Sequence, residues 1–385
     1  MALTPRTHGV AITAAALGAV ALFVNPLSVW GIVATAPDAV GLDLNTPILV
    51  QDLEATIAAT GEAGTASRAL RAIADFGRST GVLILVDEGE GADPEDIAAD
   101  QAANVIAGLQ KLLVAEQAVA VRPRILAAPG LDDAAVTAAM GVVATQLRAM
   151  AYARAIGATP AEIYTYRQTY STRELMLIDG DFNAFDALAE AEVVSFAAAR
   201  AVGARAWLDR EVGYHKTISN VAVPGVLGLT NPRTWDLQSA DTEIGLINGA
   251  DVTGLIRRNG FRFWGNRTCS DDPRYAFESA VRTDQVLRDT IAEGVFPYID
   301  QPLRQSLAID IIESLNALGR REVLAGRLIG FEAFLAEGNT PEMLAAGKLR
   351  IGYRFTPCAP LEELGIGPEI TDEFYADFAE LAGAA

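Results

Sequence analysis

Histidine and cysteine are almost missing from this chain, with two of each among 385 residues. Cys269 and Cys358 are too few for a disulfide framework, which points to synthesis in a reducing compartment. Neither cysteine lies in a C-x-x-C pair or at a histidine spacing that would hold zinc. No run of lysine or arginine breaks the formal net charge of −19, so a phosphate backbone would be repelled and no nucleic-acid partner is expected. The segment GEAGTAS at Gly61 to Ser67 lacks the lysine of a phosphate-binding loop. The acidic loop Glu88-Gly89-Glu90-Gly91 lacks the full spacing of a calcium loop and reads as a solvated surface loop. No cofactor or metal is therefore expected.

A long uninterrupted apolar run is also absent. Ala11 to Val24 has the length of a secretory core, but its basic flank is thin, with Arg6 alone, and Asn25-Pro26 leads at once into a second apolar run, Val29 to Ala36. A spanning helix needs about 20 apolar residues without a break, so no membrane partner is expected. The expectation is an N-terminal arm over residues 1–24 that enters a first buried strand.

What is present suits a folded protein of two or three domains: 51% hydrophobic and 21% charged residues. From Thr46 onward strands alternate with helices. Ile48 to Val50, Val82 to Val86, Ile125 to Ala128 and Leu175 to Ile178 are apolar runs of strand length. Between them lie helical patterns at Gly64 to Phe76, from Asp93-Pro94 through Leu113, and from a cap at Asp132 or Asp133 to about Tyr152. A further helix is expected over Phe185 to Val202. Strands apolar on both faces, separated by helices, predict an α/β core with a parallel-type sheet over residues 25–245.

The rhythm changes after Gly203. His215 to Gly228 is turn-rich, Leu246 to Ile256 and Phe261 to Trp264 read as strands, and helices follow at Tyr275 to Ile291 and Leu303 to Leu318. This predicts a second, α+β unit over 246–358. Its last element is the cleanest amphipathic strand in the chain: Leu349, Ile351, Tyr353 and Phe355 alternate with Lys348, Arg350, Gly352 and Arg354. No partner strand is evident for it, and such an edge aggregates unless another strand covers it. Residues 359–385 form a tail in which Ile370, Phe374 and Phe378 suit a helix, while Phe374, Ala376 and Phe378 equally suit a strand.

Asp209, His215 and Ser219 lie close in sequence, as an acyl-transfer triad would in space, but no G-x-S-x-G elbow surrounds Ser219. An α/β hydrolase with His215 as base, or a small-ligand binding module using loops at the strand carboxyl ends, are the alternatives to a structural role.

The run Phe261 to Pro273, FRFWGNRTCSDDP, resembles the FWG-x-RT-x-S-x-DP pattern of contractile tail sheath proteins of phages and R-type bacteriocins. Further segments resemble that family in order: His8-Gly9-Val10, Pro123 to Leu126 with Ala128 to Asp132, Tyr214 to Val221, Leu246-Ile247-Asn248, Thr356-Pro357, Pro360-Leu361-Glu362 and Ile370-Thr371-Asp372. The alanine-rich stretch Ala14 to Ala21 departs from the polar arm that the resemblance leads one to expect. The resemblance implies a subtilisin-like α/β core without protease activity and a non-enzymatic subunit without cofactor or metal. It further implies self-assembly into hexameric rings stacked as a helical sheath around a tail tube protein, with baseplate and tail terminator proteins at the ends. The expected location is a virion or bacteriocin particle made in the host cytoplasm. Terminal arms would add strands to neighbouring subunits. The subunit interface is then expected at Val10 and Ile12 of the first arm, at Leu349, Ile351, Tyr353 and Phe355 of the accepting strand, and at Phe374, Tyr375 and Phe378 of the last arm.

Overall fold

The computed structural model describes residues 22, 28–186, 190–373 and 375. Its first half runs β1 (Trp30–Thr35), β2 (Ile48–Val50), α1 (Leu53–Thr60), α2 (Ala66–Ala74), β3 (Gly81–Val86), α3 (Pro94–Lys111), α4 (Ala115–Val119), β4 (Ile125–Ala127), α5 (Ala134–Leu147), β5 (Met150–Ala155), α6 (Pro160–Arg167) and β6 (Leu175–Asp179). The second half runs β7 (Phe182–Asp186), β8 (Ala191–Ser195), α7 (Ala197–Glu211), β9 (Ala222–Val223), β10 (Gly228–Leu229), α8 (Glu243–Gly249), β11 (Gly254–Arg257) and β12 (Phe261–Trp264). It closes with α9 (Glu278–Val295), α10 (Gln305–Leu324), β13 (Leu328–Leu335), α11 (Pro341–Ala345) and β14 (Ile351–Pro357).

The central sheet has the order β2-β3-β1-β4-β5-β6, parallel throughout except for β2 on β3. Strand alternation sorts its side chains between two cores. Trp30, Ile32, Ala34, Leu83 and Leu85 point to the face covered by α1, α2 and α7. Val33, Val82, Ile84 and Val86 point to the face covered by α3, α5 and α6. Acidic and hydroxyl caps start the helices where the sequence suggests. Asp93 accepts from the amides of Glu95 and Asp96, and Asp133 accepts from Val136 N at 2.8 Å. Asp132 is the buried neighbour instead, and accepts from the Arg154 amide at 2.7 Å.

Four expectations give way. The helix after Asp133 stops at Leu147 because Arg148 takes a left-handed φ of 54°, and Met150–Ala155 becomes strand β5. Phe182–Asp186 and Ala191–Ser195 pair as antiparallel strands, with Asp186 opposite Ala191, so the expected helix begins only at Ala197. Leu246 lies in helix α8, because Thr242 accepts from the Gly245 amide and buries Ile244 and Ile247 one turn apart; only Gly254–Arg257 is strand. Finally, the amphipathic strand has an intramolecular partner, β13, whose pairing runs from Leu335–Ile351 to Leu328–Pro357. The sequence reading missed β13 altogether.

Three small sheets complete the chain: β10-β7-β8, β11-β12-β9 and β13-β14. The second is tied to the central sheet across residue 245, because Asp179 N donates to Thr253 O and Thr253 N donates to Leu177 O, each at 2.9 Å.

Candidate subunit interface

The β13–β14 pair stands on its own small core. Phe331 stacks on Tyr353 with ring centroids 5.6 Å apart, and Arg354 reaches Glu332 across the strands. Leu349, Ile351 and Tyr353 pack with Phe331 around buried Leu315 and Leu318 of α10. Three of the expected interface side chains therefore serve their own subunit first, and Phe355 extends the row by stacking on Tyr353 at 6.2 Å. Leu22 is buried in the same cluster, where a Cβ on Gly294 would fall 2.2 Å from its Cδ2, so a larger residue there would displace the Leu22 side chain.

Backbone edges distinguish the two strands. Ala333 lies opposite Tyr353, and its outward amide and carbonyl are both taken by the Asn316 side chain, at 2.8 and 3.2 Å. Helix α10 thereby covers the outer edge of β13. By alternation, Tyr353 turns its own amide and carbonyl to the opposite edge, together with Ile351 and Phe355 two residues away on either side. Those groups have no partner among the described residues. The tail beyond β14 is apolar and uncovered, with Leu361, Leu364, Ile366 and Ile370 all exposed. Tyr375 is exposed as well, whereas Val10, Ile12, Phe374 and Phe378 lie outside the described residues.

The Phe261 to Pro273 run is a structural joint. Phe261 and Phe263 face the core and meet Phe182 edge-on at 6.5 and 5.7 Å. Gly265 has φ 142°, and a Cβ there would stand 2.8 Å from Thr253 Cα. Asn266 O accepts the Glu278 amide that opens α9, Thr268 Oγ1 donates to Tyr275 O, and Asp272 accepts from the Arg274 amide. Arg267 reaches forward to Glu362, with Nε and Nη2 donating at 3.0 and 2.8 Å.

No triad forms from Asp209, His215 and Ser219. The Asp209 carboxylate pairs with Arg205 at 2.7 Å and Arg282 at 2.5 Å, both fully buried. Ser219 Oγ accepts from the Gly265 amide at 3.1 Å, and His215 Nδ1 is buried without a hydrogen-bond partner. Burial, then the Arg327 and Arg205 charges, hold the His215 pKa below its ordinary value. Arg205 also belongs to a buried network around Glu278, which accepts from Tyr152 Oη, Thr217 Oγ1 and the Ile218 amide and pairs with Arg205. These groups weld α7, α9 and the 213–218 loop into one block. The small-ligand alternative fares no better at the carboxyl end of β1. There the Gly64–Thr65 turn packs directly on Thr35, with Thr65 N donating to Thr35 O at 3.0 Å. Among the described residues no group of acidic, histidine or cysteine side chains is arranged to hold a metal ion.

The described residues thus form an α/β block with a buried charge network, and a small two-stranded sheet whose β14 edge has no backbone partner among them. Comparison with known proteins gives the family. Residues 99–269 match the family model described as the phage tail sheath protein central domain. The chain is 41% identical over 383 residues to the tail sheath protein of Escherichia phage P2, covering 96% of this chain and 97% of that one. It is 40% identical over 371 residues to the major tail sheath protein of Serratia phage KSP20, covering 93% of each. Among solved structures, the anti-feeding prophage helical sheath in its contracted state superposes with a TM-score of 0.72 at 18% identity, covering 96% of this chain and all of that one. The contracted sheath of an extracellular contractile injection system, the PVC sheath complex, does so at 0.71 and 15%, covering 97% of this chain and all of that one. The chain belongs to the contractile tail sheath protein family and is a structural sheath subunit.

Proposed function

We propose that this subunit polymerises as stacked six-membered rings around an inner tail tube, between a baseplate and a tail terminator, and that its contraction drives the tube through a target cell envelope. The carrying observation is the asymmetry of the β13–β14 sheet: Asn316 closes the β13 edge at Ala333, while the β14 edge at Ile351, Tyr353 and Phe355 stays open. An arm from a neighbour pairs there through main-chain hydrogen bonds, which ask little of side chains and let subunits pivot while linked. Repeated head-to-tail pairing that does not close on itself gives a helix.

In this reading residues 1–24 and 359–385 are the arms. Units at 25–245, with a subtilisin-like arrangement, and at 246–358 are joined through Thr253. The subunit works without catalysis, cofactor, nucleic acid or membrane, and belongs to a virion or bacteriocin particle assembled in the host cytoplasm. Contraction then passes from a kinetically trapped extended state to one with more contacts between subunits. The test is deletion of residues 363–385 followed by negative-stain microscopy. A folded, soluble monomer or small oligomer is expected in place of striated tubes, and normal tubes from the truncated chain would remove the arms from the mechanism.

A further inference from the structure

Two sequence segments that lie far apart, the Trp264–Thr268 turn and the Pro360–Glu362 stretch after the last strand, meet at one ion pair. Arg267 donates from Nε to Glu362 Oε1 and from Nη2 to Oε2, a fork-on-fork geometry that fixes direction as well as distance. The guanidinium is already positioned by the core. Its Nη1 stands 3.6 Å from Asp251 after α8, and its centre lies 5.2 Å from the Phe277 ring that precedes α9. Residues 358–362 line a cavity of about 430 Å³ together with His215, Asn220, Trp264 and Asn266. After Glu362 the contacts stop. No described residue from 363 to 370 makes a hydrogen bond or ion pair to the rest of the chain, and a Cβ on Gly365 or Gly367 would meet nothing within 4 Å.

We infer that the Arg267–Glu362 pair is the anchor of the C-terminal arm: it seats the arm's root on its own subunit and places the pivot immediately beyond, at Gly365 and Gly367. This rests on the arm reading above and deepens it. With the anchor closed, the free arm begins at residue 363 and its reach is set. With the anchor open, the root peels back toward Pro357, where β14 ends, and the arm gains about five residues of slack, on the order of 17 Å of extended chain. A neighbour would then be captured over a wider range of positions, so the anchor acts as the length gauge of the linkage between subunits. Both side chains are about one-third exposed, at 39% and 35%, so the pair responds to salt.

The chain carries its own reporter of this state. Cys358 sits at the root, half-buried, with Sγ 3.6 Å from Gly326 O. Cys269 is fully buried and its thiol is pushed up to about 12 by burial, so it stays silent toward maleimides in the native fold. Native labelling of Cys358 in the unassembled full-length subunit is expected to run roughly twofold to fivefold faster in Arg267→Met and in Glu362→Gln than in the parent. Raising sodium chloride from 0.05 to 0.5 M is expected to accelerate the parent and leave both variants unchanged. The charge-swapped pair Arg267→Glu with Glu362→Arg is expected to recover part of the protection. Glu362→Gln alters one tail residue and serves if Arg267→Met disturbs folding. Equal labelling rates in parent and Glu362→Gln at both salt concentrations would overturn the anchor. The tube-forming test of the 363–385 deletion is independent of that result, so failure of the anchor and failure of the arm reading remain distinguishable.

Discussion

The side-chain amide of Asn316 pairs with the backbone of Ala333 as a strand would: its Nδ2 donates to the Ala333 carbonyl at 3.2 Å, and the Ala333 amide donates to its Oδ1 at 2.8 Å. One residue of α10 thus occupies the position where an incoming strand would start on β13. The β14 edge at Tyr353 has no such guard among the described residues. A protein that polymerises by strand pairing needs one edge open and the other closed, because two open edges would pair indiscriminately.

Asn316→Ala is expected to leave the Ala333 amide and carbonyl without protein partners. Stability should fall by about 1–2 kcal/mol, read from urea unfolding of the unassembled subunit. Sedimentation velocity should show additional self-association at concentrations where the parent stays dispersed. Unchanged stability together with unchanged association would show that α10 does not guard the edge.

Glu278→Gln tests the buried network. The carboxylate accepts from Tyr152, Thr217 and the Ile218 amide and balances Arg205, all in the interior. Removing one partner of a buried charge pair costs about 3–5 kcal/mol, so the urea midpoint should drop steeply. A loss below about 1 kcal/mol would mean that Asp209 alone neutralises Arg205 and Arg282.

Asp132 supplies a pH dependence. Burial, the largest influence, lifts its pKa from 3.8 to about 6, so the folded chain holds this proton more tightly than the unfolded chain. The protonated form is therefore favoured by folding, and that stabilisation is complete below about pH 4 and lost as the pH rises through 6. Asp132→Asn keeps an oxygen for the Arg154 amide without the charge. Its stability relative to the parent should improve by about 1–3 kcal/mol between pH 4 and pH 7.5, with other carboxylates cancelling in the difference. A flat difference across that window would contradict the burial penalty.

His215→Ala bears on the hydrolase alternative. With Asp209 committed to two arginines and His215 Nδ1 unpartnered, the parent should turn over neither ester nor peptide substrates. The substitution should lower stability by less than about 1 kcal/mol. Hydrolysis by the parent that vanishes in the variant would reinstate an active site.

Much of the architecture was legible beforehand. The buried strands at Val82–Val86 and Leu175–Ile178 show as continuous apolar runs, and Asp93-Pro94 marks its helix start, because burial on both faces and end-capping both act over a few residues. The same locality explains the errors. Met150–Ala155 has three alanines in six residues, and its start reads as the end of the preceding helix; only the sheet between β4 and β6 makes it a strand. Strands β7 and β8 and helix α8 differ from expectation because their apolar residues suit either period over so short a span.

The interface divides in the same way. Sequence alone determined that Leu349, Ile351, Tyr353 and Phe355 share one strand face, since alternation is a property of the chain itself. The resemblance of the Phe261 to Pro273 run to a sheath-protein pattern was likewise legible in the sequence. Tertiary structure decided that this face packs on α10, that β13 takes one edge of β14, and that Asn316 closes the far side of β13. It also brought Arg267 to Glu362, 95 residues on. These depend on which backbone edges and charged groups meet after folding, and such pairings across long separations leave no periodic mark in the sequence.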